Sequence, residues 1–259
     1  MKKYGIFLVL LFALTSSAFA DYVDEREMKI PATDIEVFEI NCGAGFLEIQ
    51  PNTKTNYIEV KAEIVIGGTT RQRAQRFVDE FLKLTLENHG NMAQLESYFD
   101  YNNSFSLIST TLKNAEINLT VRVPKNVNLE IDDGSGYITI TGLKSDIILD
   151  DGSGDIELTN IEGDLEIDDG SGELIIEDIT GNVKIDDGSG DISVKNVFGD
   201  VEIDDGSGDM KIVSIDGDVT IDDGSGDIRV DKITKNVDLI DDSSGSRMIS
   251  NVEGKVDLN

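Results

Sequence analysis

The sequence predicts an all-β chain: a right-handed, single-stranded parallel β-helix (β-solenoid) of about 18 residues per coil, with one α-helix inserted in its N-terminal part. Two observations carry this. The pentapeptide DDGSG begins at Asp132, Asp150, Asp168, Asp186, Asp204 and Asp222, always at the same interval, and a worn copy, DDSSG, begins at Asp241. Repetition at a fixed short period marks a solenoid whose units stack on one another. Each period also divides into two nonapeptides, as in Asp155–Gly163 and Asp164–Gly172. Both open with polar/apolar alternation and close on glycine, which is a short strand followed by a tight turn. Two strands per coil imply two facing parallel sheets, and parallel crossovers are right-handed.

Residues 1–20 read as a signal peptide. Lys2 and Lys3 precede an apolar run, Ile6–Leu14, and Ser16-Ser17-Ala18-Phe19-Ala20 has the small-x-small pattern of a cleavage site. The run is too short to span a ~30 Å hydrocarbon core. The expectation is an exported protein, periplasmic, secreted or at the cell surface, with no membrane insertion after cleavage. The single cysteine, Cys42, cannot form an intrachain disulfide.

Residues 21–128 read as a degenerate N-terminal solenoid and capping region. Asn41-Cys42-Gly43-Ala44-Gly45 followed by Phe46-Leu47-Glu48-Ile49 matches DDGSG and the strand after it, which puts Cys42 in the column of the second Asp. Tyr57–Ile66 is a strand. Thr69 and Thr70 are candidate N-caps for a helix over about 70–82, because Ala74, Phe77, Val78, Phe81 and Leu82 fall on one helical face. Such a helix would cover an exposed end of the stack. Leu82–Glu87 and Met92–Tyr98 read as a hairpin, Asp100–Ser106 as a loop and Glu116–Val123 as a strand.

Residues 129–259 form the regular array. Its inward columns are five aliphatics per coil: Ile156, Leu158, Ile161, Leu165 and Ile167 in one coil, and Ile192, Val194, Val197, Val201 and Ile203 two coils later. Burying five aliphatics recovers less than the entropy lost in ordering the backbone of a whole coil, so a lone coil cannot fold and stability requires stacking. The last repeat carries an extra residue before Asp241 and adds Arg247 and Lys255, a pattern that reads either as a blocked edge or as repeat decay.

The formal net charge is −29, and it is lopsided: residues 130–259 hold 35 of the 51 acidic and 9 of the 22 basic side chains. Nucleic acid and anionic membrane surfaces are therefore poor partners, and none is expected, whereas cations and basic proteins are better ones; a glycan enters only with the adhesin-like reading. Paired aspartates equip glycosidases, but an active site is a local departure from a repeat, and here the pair is the repeat. With His89 as the only histidine, metal-histidine and nucleophile-histidine chemistry have no support, and the chain reads as a non-enzyme. A polysaccharide-active β-helix enzyme is the least favoured alternative.

Stacking would bring Asp132, Asp150, Asp168, Asp186, Asp204 and Asp222 into one column, with Asp133, Asp151, Asp169, Asp187, Asp205 and Asp223 beside it, at about 4.8 Å per strand. Two readings follow. Calcium would relieve the repulsion, making these twelve residues a cation ladder. Alternatively the aspartates accept hydrogen bonds from turn N–H groups, while Ser135, Ser153, Ser171, Ser189, Ser207 and Ser225 form a hydroxyl ladder. The nonapeptides resemble the calcium-binding β-roll, with the difference that only one turn per coil is rich in Gly and Asp.

Units such as Gly154-Asp155-Ile156-Glu157-Leu158 and Gly163-Asp164-Leu165-Glu166-Ile167, after a degenerate segment with a helix, resemble the bacterial putative-adhesin family of exported β-strand-repeat proteins of unknown function. The resemblance implies a right-handed parallel β-helix with a surface-binding role and supplies no catalytic residues. The functional expectation is an adhesin-like or structural binding scaffold, with a calcium-stabilised β-roll-like module as the alternative.

Overall fold

A computed structural model describes residues 21–101, 114–242 and 244–258. The proposed signal peptide and all but the start of the Asp100–Ser106 loop lie outside them. Two eleven-stranded sheets face each other across one aliphatic core. From Asn128 onward the strands alternate between the sheets, and each is parallel to its equivalent one coil away. Leu165–Asp169, for instance, lies between Ile147–Asp151 and Val183–Asp187, and Leu174–Thr180 lies between Ile156–Glu162 and Ile192–Phe198. The pairing register equals the sequence repeat, so chemically identical positions form straight columns. All ten aliphatics singled out in the two coils above are buried.

The corners explain the glycines. The final glycine of DDGSG lies so close to the coil before it that a Cβ on Gly172 would fall 1.7 Å from the Gly154 carbonyl oxygen, and its φ of 153° disfavours any side chain. In the other sheet, each coil kinks at a left-handed residue: Asn160, Asp178, Asn196, Ser214, Lys232 or Asn251. Asparagine and aspartate tolerate this conformation best.

One coil precedes the regular array. Val37–Ala44 pairs with Asn128–Ser135, and Leu47–Pro51 with Ile138–Thr141, in a register that sets Cys42 opposite Asp133. The chain before the first of these coils and the segment between them build the closed end. Tyr22–Pro31, Tyr57–Ile66 and Ala115–Val123 extend one sheet antiparallel to one another, and the expected hairpin, Leu82–Asn88 with Met92–Phe99, extends the other.

The helix runs from Arg71 to Phe81. Ala74, Phe77, Val78 and Phe81 face inward against Tyr22–Pro31 and Leu82–Asn88, the outermost strand of each sheet, so the helix covers the end of the stack as expected. Phe77 lies 5.0 Å from both Phe81 and Phe99, ring centre to ring centre. Thr70 is the N-cap residue, but its hydroxyl makes no capping bond; its carbonyl accepts instead from Arg73 and Ala74 N–H. At the far end, the extra residue is Ile240, which shifts the register between Ile221 and Asp222 and is exposed.

Because the Gly172 corner has no room for a methyl group, Gly172→Ala should destabilise the rod by more than about 3 kcal/mol, while Ser171→Ala next to it stays within about 0.5 kcal/mol. Urea unfolding of the two variants checks this.

Candidate functional site

The period-two alternation does not stop at the aspartates. In Leu165–Asp169 the residues are buried, exposed, buried, exposed, buried, so Asp169 points inward with Leu165 and Ile167 while Asp168 points out. The twelve aspartates therefore do not make one ladder. Asp132, Asp150, Asp168, Asp186, Asp204 and Asp222 lie on the outer face, and Asp133, Asp151, Asp169, Asp187, Asp205 and Asp223 lie inside it, each no more than 3% exposed. The placement side by side expected from the sequence is corrected on this point.

The inner aspartates hold the corner. Asp151, Asp169, Asp187 and Asp205 each accept, through Oδ1, the N–H of the serine two residues on, at 3.3, 3.0, 3.1 and 2.9 Å. Their Oδ2 atoms are buried without a hydrogen-bond partner. Burial pushes Asp133, Asp151 and Asp169 up to about 6 and Asp205 up to about 7, and it raises Asp187 as well. The serines serve through their backbone, because Ser171 donates its N–H to Asp169 and accepts at its carbonyl from Gly154. Among the described residues, no hydrogen bond links one DDGSG serine hydroxyl to the next, so the expected hydroxyl ladder is not formed.

The outer aspartates have neither a hydrogen-bond nor an ion-pair partner among the described residues. Asp168 is raised by partial desolvation and by the charges of Asp150 and Asp186, and Asp204 is raised likewise between Asp186 and Asp222. The same face carries Glu130, Glu166 and Glu202, with Lys184 bound to Glu166 at 3.4 Å. A shallow groove crosses it, lined among others by Asp146, Ile148, Asp164, Asp200 and Asp218.

A third set of acids was missed in the sequence. The aspartate that follows the corner glycine binds the backbone of the next coil: Asp164 Oδ1 accepts from Asn182 N–H at 2.7 Å, Asp200 from Asp218 at 2.8 Å, and Asp209 from Asp227 at 3.0 Å. Such bonds favour the carboxylate, and Asp200 is held low first by the Asp218 N–H and then by Lys235. The repeated Gly-Asp dipeptide was the available signal, but its partner lies a full coil away.

Among the described residues, neither the one histidine nor the one cysteine joins a nucleophile-and-base pair. His89 sits at the hairpin turn, 3.4 Å from Glu87. Cys42 is buried at the head of the inner column, where burial first and then the Asp133 charge raise its thiol far above the ordinary range and remove its nucleophilic character. Among the described residues, no three His, Cys, Asp or Glu side chains form a group that could hold a metal ion, and no helix is long and apolar enough to cross a membrane.

Residues 79–246 match the Toastrack DUF4097 family, to which the chain therefore belongs. Solved structures with similar chains include a "putative cell adhesion protein" from Clostridium sporogenes, 13% identical over 91% of this chain and 98% of that one, with a TM-score of 0.34. A "putative lipid binding protein" from Parabacteroides distasonis is 13% identical over 90% and 96%, with a TM-score of 0.45. A "putative adhesin" from Parabacteroides merdae is 12% identical over 90% and 95%, with a TM-score of 0.27. No curated protein matches the chain.

The corner aspartates give a direct test. Asp209→Ala should cost about 1 kcal/mol in urea unfolding by orphaning the Asp227 N–H, while Asp209→Asn, which retains an acceptor oxygen, should cost less than half as much.

Proposed function

We propose that the protein is a non-enzymatic exported scaffold that binds partners along the outer acidic face of its solenoid. The observation that carries this reading is the outer aspartate column. It recurs in every regular coil, is exposed from Asp132 to Asp204 and half-buried at Asp222, and meets no hydrogen-bond or ion-pair partner among the described residues, whereas the other two acid columns are engaged in holding the corners. A row of like charges about 4.8 Å apart attracts cationic matter, and its straightness suits an extended partner such as a basic surface protein. Enzymatic turnover needs a unique convergence of groups, and this face offers the same groups in each coil. Localisation on the cell surface and adhesin-like contact with a glycan or a basic protein belong to the same reading.

Calcium is the second reading, favoured by the same unneutralised column. The described residues would offer it carboxylates from successive coils rather than a ready three-ligand group.

Two measurements test these readings. The mature protein should bind lysine-rich peptides or a basic cell-surface protein in a screen that includes glycans, and the quadruple variant Asp150→Asn, Asp168→Asn, Asp186→Asn, Asp204→Asn should bind basic partners at least about tenfold more weakly at about 0.15 M salt. No ligand, together with a strictly periplasmic location, would refute the scaffold reading. A melting scan with millimolar calcium against a control of matched ionic strength tests the second reading, and absence of extra stabilisation would reject it.

A further inference from the structure

The buried polar atoms that lack hydrogen-bond partners are gathered in one line. Ser97 is paired in register with Cys42, Cys42 with Asp133, Asp133 with Asp151, and the line continues through Asp169, Asp187, Asp205 and Asp223. Apart from Ser145, every described side chain with such an atom lies on it. This is a continuous polar file inside an aliphatic rod, with steps of about 4.8 Å.

Few charges face the file. On its own strands it meets the outer neighbours Asp132, Asp150, Asp186 and Asp204, at the corner it meets Asp155, and at its head it meets the Cys42 thiol. Among the described residues, the buried side chains on the strands of the opposite sheet are apolar, Ile156, Leu174, Ile192 and Met210 among them. Among the described residues, no lysine, arginine or histidine faces it. Fully ionised, neighbouring carboxylates at this spacing would repel one another far more than exposed ones do, with nothing to compensate. One oxygen of Asp151, Asp169, Asp187 and Asp205 is satisfied by a serine N–H, so the unmet need lies at Oδ2, the atom that a proton would occupy.

We propose that the inner carboxyl file is a proton-binding site that is loaded in mildly acidic surroundings and discharges near neutrality, so that the rod is stiffest in acid and loosens as the pH rises. Loading replaces a line of buried charges by neutral carboxylic acids, which the interior accepts. The direction of linkage follows from the raised values at Asp133, Asp151, Asp169 and Asp205. An unfolded aspartate titrates near 3.9. The stability that the protons contribute is thus complete below about pH 4 and is lost as the pH rises through about 6 to 7. At the corners, Asp200 acts in the opposite sense, losing its contribution as the pH falls through its lowered value.

The test compares melting temperatures from about pH 4.5 to 8 in about 0.3 M NaCl, where surface repulsion is screened. Wild type should lose at least about 5 °C between pH 5 and pH 8. The variant Asp151→Asn, Asp169→Asn, Asp187→Asn, Asp205→Asn keeps the acceptor for the serine N–H and cannot ionise, so it should melt higher than wild type at pH 8 with most of the slope gone. The outer quadruple variant should keep the slope. The infrared carbonyl band of neutral carboxylic acids should persist in folded wild type at pH 5.5 and be lost by pH 8, a readout that stands even if the inner variant does not fold. A wild-type slope retained in the inner variant, or no such band at pH 5.5, would overturn the proposal. So would restoration of pH 8 stability by calcium, beyond an ionic-strength control, in the outer quadruple variant, because with the outer column neutralised the inner file itself would then hold metal rather than protons.

Discussion

Everything in this molecule depends on one coil lying in register on the next. The backbone hydrogen bonds of each strand go to the coils on either side, and the aliphatic columns exist only because the same positions recur one coil later. No coil has a core of its own. The stack must therefore be closed where it begins, and the antiparallel strands and the Phe77/Phe81 helix do this at the N-terminal end.

Stacking also fixes the electrostatics. Where every residue faces its own equivalent, an acid in the repeat becomes an acid column, and like charges opposite one another oppose pairing. Three columns meet this cost in three ways. The outer aspartates leave their charge in water. Asp164, Asp200 and Asp209 bind the N–H of the following coil, turning the negative charge into a fastening. The inner file alone has neither remedy in full, so its Oδ2 atoms mark where the fold is least at ease with itself.

Much of this was legible in the residues. The repeat period, the aliphatic columns, the helix, the hairpin and the position of Cys42 all followed from local pattern. The split of the aspartate pair was equally present in the alternation Leu165, Ile167, Asp169, but stacking alone says only that the two columns are neighbours, and aspartates are seldom buried. Pattern outranked residue type here because a one-residue slip would have turned every aliphatic outward. The corner fastenings were hidden for another reason: Asp209 and Asp227 become neighbours only once the coils stack. The antiparallel cap was illegible in the same way, since Tyr22–Pro31 pairs with Tyr57–Ile66 across two intervening solenoid strands. At Thr70 a sound local signal met a helix start that takes its first bonds from the carbonyl alone.

The central claim is that DDGSG places one carboxyl in water and the next inside the rod. A carbon-13 carboxyl titration of the folded protein, assigned residue by residue, measures it directly. The account predicts two populations of aspartates within the same motif, with Asp151, Asp169 and Asp205 titrating at about 6 to 7, well above a free aspartate. A single population, with both members of each pair titrating together near the value of a free aspartate, would contradict it.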